Sequence, residues 1–246
     1  MSFHVIIPAR WASTRLPGKM LADLAGKPLV VRTAEQARLS NADSVVVATD
    51  HEPIAQAVRE HQLEVIMTDA DHPSGTDRLS QAARLLELPD NAIVVNVQGD
   101  EPLIDPGLIN HLAKCLTDNP DAAIATAAAR IMDPEINSNP NVVKVVLNAR
   151  GQALYFSRAA IPFMRHPVAN LTALHHIGIY AYRVSFLQAF PRLPQGLLEQ
   201  AESLEQLRAL EHGFKIQVLI TDEPHAAGVD TEQDLQAARQ LYASPI

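Results

Sequence analysis

A continuous apolar run, "NAIVVNVQGD" at residues 91–100, most strongly constrains the fold of this chain. Most of its apolar residues are β-branched and it ends in polar ones, which is typical of a strand buried on both faces of a sheet. Strand-like and helix-like segments alternate before it: "FHVIIP", "LVVRTAEQARLS", "DSVVVATD", "PIAQAVREH", "EVIMT" and "DRLSQAARLLEL". This rhythm predicts βαβ units, and therefore a mostly parallel sheet flanked by helices, with ligands bound beyond the carboxyl ends of the strands.

The middle of the chain has a different pattern. Between residues 122 and 182 it offers the strand candidates "AIATAAARI", "VVKVVLN", "QALYFSR" and "HHIGIYAYR", with few helical patterns. We interpret them as antiparallel strands added to the sheet as a lobe. After them, "QAESLEQLRALEHG" predicts one helix ending at Gly213, "KIQVLI" a strand and "TEQDLQAARQLY" the last helix. The sequence contains no repeat or flexible linker, so we predict a single domain over residues 1–246.

Composition excludes several classes of function. The net charge of -8 argues against non-specific binding to nucleic acid. No stretch approaches the roughly 20 apolar residues of a membrane span, and the first residues lack the pattern of a signal peptide. Cys115 is the single cysteine, which rules out an internal disulfide and indicates a reducing compartment.

The loop "PARWASTRLPGK" at residues 8–19 concentrates positive charge in an acidic chain. Its small residues let backbone N–H groups approach an anion, and Arg10, Arg15 and Lys19 can neutralise a polyphosphate. A solvated surface loop whose cations pair with surface acids is the alternative. The loop matches neither the Walker A pattern nor the dinucleotide-binding glycine pattern.

Two aspartates are candidate magnesium ligands. Asp100 ends the buried run, and carboxylate oxygens are the ligands that Mg²⁺ prefers. A helix N-cap is the alternative role, but Asp105, before Pro106, is the better cap. Asp230 precedes the last helix, and either Asp230 or Thr231 can be its N-cap. If Thr231 caps the helix, in a weak capping box with Asp234, Asp230 is free for metal.

The segment "HPSGTDRL" at residues 72–79 opens a helix, whose N-terminus can receive an anion or a polar base edge. Arg78, one turn into that helix, can point back toward a ligand. An ordinary helix start, with Ser74 or Thr76 as the cap, explains the pattern equally well.

The chain resembles the 3-deoxy-D-manno-octulosonate (Kdo) cytidylyltransferases, the CMP-Kdo synthetase family. The resemblance rests on ordered motifs over nearly the whole chain, namely "IPARWASTRLPGKML", "VATD", "HPSGTDRL", "VNVQGDEPLI", "VVKVVLN…ALYFSRAAIP", "HHIGIYAYR", "ESLEQLRALEHG" and "GVDTEQDL". It implies the nucleotide-diphospho-sugar transferase type of Rossmann-like α/β fold, Mg²⁺, a homodimer and a cytoplasmic location. It also implies transfer of CMP from CTP to Kdo, with release of pyrophosphate, for lipopolysaccharide synthesis.

The resemblance also implies a division of the chain. A nucleotide-binding half would span residues 1–120, a sugar-binding and dimerisation lobe residues 121–215, and the C-terminal strand and helix would return to the main sheet. The implied nucleotide-binding residues are Ala9, Arg10, Arg15, Lys19, Ser74, Gly75, Arg78 and Gln98. The implied sugar-binding residues are Gln98, Arg158, His176, Tyr180, Glu202 and Gln206. The implied catalytic residues are Arg10, Lys19, Asp100 and Asp230, of which the two aspartates would bind Mg²⁺.

Without the resemblance, the sugar-binding residues have ordinary explanations. Arg158 would be a surface arginine at a strand end, and His176 and Tyr180 would share a core-facing side of a strand. Glu202 and Gln206, one helical turn apart, would share a solvated helix face. Other functions also remain open: cytidylyl transfer to a Kdo analogue such as 8-amino-Kdo, nucleotidyl transfer to another acidic sugar, glycosyl transfer, or nucleotide binding without catalysis.

Overall fold

The computed structural model describes residues 2–11, 16–166, 168–169, 171–222 and 228–243. In this part of the chain the strands are β1 (His4–Ala9), β2 (Asp23–Leu24), β3 (Lys27–Pro28), β4 (Ser44–Thr49), β5 (Glu64–Met67), β6 (Ile93–Asn96), β7 (Ile124–Arg130), β8 (Lys144–Leu147), β9 (Ala153–Ser157), β10 (Leu174–Arg183) and β11 (Ile216–Thr221). The α-helices are α1 (Leu29–Ala37), α2 (Glu52–Glu60), α3 (Gly75–Leu85), α4 (Pro106–Asp118), α5 (Pro134–Ser138), α6 (Val184–Ala189), α7 (Leu197–Glu202), α8 (Gln206–Glu211) and α9 (Glu232–Ala243), and short 3₁₀ turns span Lys19–Leu21 and Phe190–Arg192.

The central sheet is mostly parallel, as predicted. Among the described residues it joins nine strands in the order β11-β7-β10-β6-β1-β4-β5, with β8 on β10 and β9 on β8. β1 lies between β4 and β6 and runs parallel to both. β10 is antiparallel to β6 and β7, and β11 is parallel to β7. The carboxyl ends of β1, β4 and β6 therefore meet at one edge.

Helices cover both faces of this sheet. Val5 and Ile7 of β1 pack with apolar residues of α1, α2 and α4. Because side chains alternate along a strand, Ile6 faces the other side and belongs to the cluster formed with α3, α6 and α8. A third cluster joins Leu235 of α9 to Leu29 of α1. That contact fixes the segment before α9 against the edge where the parallel strands end.

The lobe is built from antiparallel pairs, as the sequence predicted. β8 pairs with β9 and with the first residues of β10. β10 has an irregular register against β7, where Ile177 pairs with Ala127 and Tyr180 with Thr126. The two extra residues on β10 form a bulge, which increases the local twist of the strand.

The single helix predicted over "QAESLEQLRALEHG" is wrong. The chain forms two short helices, α7 and α8, because Ser203 between them adopts a left-handed conformation with φ 51°. The Arg158 side chain donates to the carbonyl oxygens of Glu202 and Ser203 and holds this junction. Glu202 and Gln206 consequently lie on different helices and do not share a helix face.

Within the residues described above, no helix combines the length and the apolar character required to cross a membrane.

Candidate active site

A cavity of about 510 Å³ lies where the sequence predicted ligand binding, beyond the carboxyl ends of β1 and β6. Its wall includes the end of β1, the start of α3, the segment after β6, part of β10 and the residue two before α9. Of the predicted site residues, those that line it are Arg10, Lys19, Ser74, Gly75, Arg78, Gln98, Asp100, Tyr180 and Asp230. Arg15 lies outside the described residues, and Ala9 is buried at the end of β1.

Lys19 connects the two predicted metal ligands. Its ammonium group forms ion pairs with Asp100 Oδ2 and with Asp230 Oδ1, the latter at 2.9 Å, and donates to the Val229 carbonyl oxygen at 3.3 Å. Burial opposes the charge of Lys19, but its hydrogen bonds and charge interactions with the two aspartates outweigh burial, so the pKa of Lys19 is raised. The group therefore stays cationic at neutral pH.

Local backbone conformation places Lys19 and Asp100 together. Gly18 precedes the 3₁₀ turn with φ 68°, a region that favours glycine. At Gly99, a Cβ atom would lie 2.9 Å from Met20 Sδ and 3.1 Å from the Pro8 carbonyl oxygen. Glycine therefore lets the segment after β6 pass this close to the end of β1 without displacing Met20 or Pro8.

Asp230 is positioned by the turn that begins α9. The side chain of Asp234 accepts from the backbone N–H of Asp230 at 3.1 Å and of Thr231 at 2.8 Å. Thr231 Oγ1 accepts in return from the Asp234 N–H at 3.2 Å, which confirms the predicted capping box. The Val229 N–H donates to the Asp100 carbonyl oxygen at 2.8 Å and ties this turn to the segment after β6.

The start of α3 forms a second wall of the cavity. Ser74 is its N-cap and accepts from the Asp77 N–H at 3.3 Å, which settles the choice between Ser74 and Thr76. Arg78 lines the cavity, but its guanidinium is buried and paired with Asp50 at 2.7 Å. The charge of Arg78 is therefore compensated by Asp50 in this structure.

Arg158 and Glu202, both predicted sugar ligands, bind each other outside the cavity lining. Glu202 Oε2 accepts from the Arg158 backbone N–H at 2.9 Å, and Glu202 Oε1 accepts from Ser157 Oγ at 2.6 Å. The Arg158 guanidinium donates to three backbone carbonyl oxygens, including that of Pro140. Gln206 is buried at the start of α8 and also lies outside the lining.

His176 is buried beside the cavity without lining it. Its Nε2 is 2.9 Å from Thr126 Oγ1, and its ring contacts the rings of Phe156 and Tyr180. Burial, with a smaller contribution from His175, lowers the pKa of His176 to about 3. Tyr180 does line the cavity, stacked on Tyr182, and burial raises the pKa of both hydroxyls. Both tyrosines are therefore neutral hydrogen-bonding groups.

The cavity residues that were not predicted from the sequence include Asn96, Tyr182 and Glu205. Glu205 is hydrogen-bonded to Thr76 Oγ1, but burial dominates and raises its pKa. Asn96 ends β6, is 3% exposed, and has a buried Oδ1 without a hydrogen-bond partner in the described structure. A polar residue inside the run "VVNV" was a signal that could have identified Asn96, because a buried amide needs partners.

Asp100 and Asp230 fit a magnesium ion by their chemistry. The described residues contain no group of three or more His, Cys, Asp or Glu side chains able to hold a metal. Mg²⁺ in phosphate-transfer sites usually takes one or two carboxylates and completes its shell with water and substrate phosphates. The two carboxylates already converge on one cation, the Lys19 ammonium, at the cavity wall.

Comparisons with known proteins agree with the fold and with the family that the sequence motifs resemble. A family model described as "Cytidylyltransferase" matches residues 4–220. Proteins named 3-deoxy-manno-octulosonate cytidylyltransferase from Polynucleobacter necessarius subsp. necessarius and from Polynucleobacter asymbioticus are each 56% identical over 98% of this chain and 96% of their own length.

Solved structures give the same result. A structure of CMP:2-keto-3-deoxy-manno-octonic acid synthetase complexed with CTP superposes with a TM-score of 0.91 at 42% identity, over 98% of both chains. A cytidylyltransferase from Leptospira borgpetersenii, 17% identical with a TM-score of 0.64, covers 99% of this chain and 88% of its own and shares the fold. This chain belongs to the cytidylyltransferases, and among them to the 3-deoxy-manno-octulosonate cytidylyltransferase family.

Proposed function

We propose that this protein transfers CMP from CTP to Kdo, giving CMP-Kdo and pyrophosphate. The observation that carries the proposal is the convergence of Arg10, Lys19, Asp100 and Asp230 on one cavity at the carboxyl ends of the parallel strands. Relatives that carry the name of this reaction align over nearly the full chain. The same reaction was implied by the sequence motifs.

The cations of the cavity address the main electrostatic difficulty of this reaction. Both substrates are anions, and two unit charges 4 Å apart repel by about 4 kcal/mol at an effective dielectric constant near 20. Arg10 directly follows the last residue of β1, and both Arg10 and Lys19 line the cavity. We assign both to the triphosphate of CTP, where they stabilise the charge that develops as pyrophosphate leaves.

The reaction is a direct displacement. The anomeric hydroxyl oxygen of Kdo forms a bond to the α-phosphorus of CTP, the bond from that phosphorus to the bridging oxygen breaks, and pyrophosphate leaves in line. The hydroxyl proton is lost to solvent. No covalent intermediate with the protein is needed, so the cavity residues act by binding, orienting and neutralising their substrates.

Asp100 and Asp230 would hold Mg²⁺ through their carboxylate oxygens. When bound, Mg²⁺ neutralises phosphate oxygens and lowers the pKa of a hydroxyl near it. The capping box of α9 keeps Asp230 beside Asp100 for this purpose.

The remaining predicted residues divide between the two substrates. We assign Ser74, Gly75, Arg78 and the backbone at Ala9 to CTP. Gln98 and Tyr180 line the cavity and are assigned to the sugar, and Gln98 is also assigned to the nucleotide. Four residues outside the cavity lining stay predicted sugar ligands: Arg158, His176, Glu202 and Gln206.

We also propose that the protein acts as a homodimer in the cytoplasm and supplies activated Kdo for lipopolysaccharide. The cytoplasmic location is supported by the single cysteine, whose thiol has its pKa raised to about 11 by burial and by the nearby Asp118. A thiol with so high a pKa is unreactive, as expected of a cysteine that has no redox function. The homodimer is supported by exposed apolar side chains of the lobe, discussed below.

Pyrophosphate release tests the proposed reaction. With Mg²⁺ present, release should require CTP and Kdo together, and neither UTP nor N-acetylneuraminate should replace them. A panel of CTP, UTP and GTP crossed with Kdo, 8-amino-Kdo and neutral sugars separates the analogue reactions. CTP binding without release from any sugar would contradict catalysis and favour a nucleotide-binding protein.

A further inference from the structure

Every N–H donor of the Lys19 ammonium has an acceptor within this chain. It carries three N–H donors, and three acceptors contact it: Asp100 Oδ2, Asp230 Oδ1 and the Val229 carbonyl oxygen. The Lys19 side chain is only 10% exposed, although it lines the cavity. In this arrangement Lys19 has no donor left for a phosphate.

This arrangement conflicts with the roles assigned to the same three residues. The proposed function, on which this inference rests, gives Lys19 to the CTP phosphates and the two aspartates to Mg²⁺. An ammonium in contact with both carboxylates would repel a divalent cation bound by the same oxygens, since the charges are alike. The ammonium therefore opposes the binding of a divalent cation to this pair of carboxylates.

We infer that Lys19 is the counter-ion of Asp100 and Asp230 in the metal-free protein, and that a divalent cation competes with it for both carboxylates. The cation displaces the ammonium, and the displaced ammonium gains three free donors on the wall of a cavity that also contains Arg10. Metal binding thereby releases the Lys19 ammonium from its ion pairs with Asp100 and Asp230 and makes it available to an anionic ligand.

Only a side chain needs to move in this exchange. Two backbone hydrogen bonds hold Lys19 in place. Its N–H donates to the Leu16 carbonyl oxygen at 3.2 Å, and its carbonyl oxygen accepts from the Ala22 N–H at 3.0 Å. The flexible four-carbon stem of lysine lets the ammonium leave the carboxylates while the 3₁₀ turn stays in place.

Binding of Mn²⁺ in the absence of nucleotide and sugar tests the competition. The free ion is measured by electron paramagnetic resonance for the wild type, Lys19→Met, Lys19→Arg and the control Lys27→Met, which removes the ion pair with Glu35. Lys19→Met should bind Mn²⁺ at least about tenfold more tightly than the wild type, because the competing charge is gone. Lys19→Arg, which keeps a cation, and Lys27→Met should stay within a few-fold of the wild type. Equal or weaker binding by Lys19→Met overturns the inference.

A second measurement uses the wild type and does not depend on the folding of a variant. Acetylation of individual lysines is followed by mass spectrometry with and without saturating Mn²⁺. Competition predicts that Mn²⁺ raises the labelling rate of Lys19 several-fold and leaves that of Lys27 unchanged. An unchanged rate at Lys19 would show that the cluster stays closed around the metal, which contradicts the inference. Both measurements omit CTP and Kdo, so their outcome is independent of the pyrophosphate assay.

Discussion

Asp100 and Asp105 lie five residues apart, yet their carboxylates serve different purposes. Asp105 is the N-cap of α4, and its two oxygens accept from the Gly107 and Leu108 N–H groups at 2.9 and 3.0 Å. Asp100 lines the cavity and pairs with Lys19. Asp105 is therefore the helix cap, as predicted, and the carboxylate of Asp100 is not used to cap α4.

This difference makes the two aspartates a matched pair for mutation. Asp100→Ala should abolish pyrophosphate release, because a carboxylate assigned to the metal is lost, while Lys19 keeps Asp230 as a partner and the fold is retained. Asp105→Ala should lower the free energy of unfolding by about 1 kcal/mol and leave kcat near the wild-type value. Urea unfolding and pyrophosphate release measure the two effects. Substantial activity of Asp100→Ala at saturating Mg²⁺ would contradict the assignment.

His176 makes stability depend on pH. Its pKa of about 3 in the folded protein lies below the unfolded value of about 6.5, so the unfolded chain binds the proton more tightly. The stability contributed by neutral His176 is therefore complete above pH 6.5 and is lost as pH falls toward 3. Between pH 7.5 and 5 this loss amounts to about 2 kcal/mol.

Replacement of the imidazole should remove that part of the pH dependence. We expect His176→Gln to lose about 2 kcal/mol less than the wild type between pH 7.5 and 5, whatever its stability at neutral pH. Urea unfolding at both pH values measures the difference. His111→Gln on the exposed surface of α4 controls for the change of a histidine as such. Equal losses in His176→Gln and the wild type would show that the buried ring does not titrate as described.

The first turn of α9 links helix capping to the proposed metal site. The Asp234 carboxylate accepts from the backbone N–H groups of Asp230 and Thr231, so it fixes the direction of the residue proposed as the second metal ligand. Glu232 is in the same turn and forms a long, exposed ion pair with Arg239 at 3.5 Å. Both carboxylates interact favourably with the helix dipole at the N-terminus of α9. Asp234 differs in that it also accepts hydrogen bonds from the backbone before the helix.

Removal of these two acids should separate capping from charge. Asp234→Ala should lower the free energy of unfolding by about 1 kcal/mol and raise the Mg²⁺ concentration for half-maximal activity by about tenfold, because an oriented ligand is loosened. Glu232→Ala should change stability by less than about 0.5 kcal/mol and leave the Mg²⁺ requirement unchanged. Urea unfolding and a Mg²⁺ titration of pyrophosphate release measure both effects. If both variants need a similarly higher Mg²⁺ concentration for half-maximal activity, the lost negative charge at the helix N-terminus, and not the lost capping, is the cause.

Elements were predictable where local pattern and burial agree. The strands around β6 are continuous apolar runs because a parallel strand is covered on both faces, and these runs stand out in the sequence. The break between α7 and α8 was not predictable, since it depends on contacts of Glu202 and Ser203 with Arg158, 44 or 45 residues away. Helical spacing in "LLEQAESLEQLR" gives no sign of that distant partner.

At the scale of the whole molecule, the site residues that were predictable are those in motifs that follow a strand or precede a helix. Arg10, Ser74 and Asp100 reach the cavity because the fold brings those ends to one edge of the sheet. Glu205 was missed because it becomes a cavity residue only when α8 packs near the start of α3. Family resemblance alone assigned Arg158 to the sugar, and in this structure its side chain is held by backbone carbonyls.

The lobe carries an excess of exposed apolar side chains that the monomer does not explain. Of the fifteen large hydrophobic residues exposed in the described structure, seven fall within residues 132–171: Met132, Ile136, Leu154, Phe163, Met164, Val168 and Leu171. The segments next to Met132 and Leu171 adjoin, because the Ile131 N–H donates to the Ala173 carbonyl oxygen at 2.9 Å. Apolar surface concentrated in this way is typical of a protein interface, and it supports the proposed homodimer of the lobe.

A charged residue in this surface should dissociate the homodimer. Phe163 is 89% exposed, so Phe163→Asp should not disturb the fold of one chain but should bury an unpaired carboxylate in the interface, at a cost of several kcal/mol. Sedimentation equilibrium should give twice the 26.8 kDa chain mass for the wild type and the chain mass for Phe163→Asp. Leu39→Asp, at a 69% exposed position outside the lobe, should remain dimeric. A wild type that sediments as a monomer, or a Phe163→Asp that stays dimeric, would mean that this apolar surface is not where two chains meet.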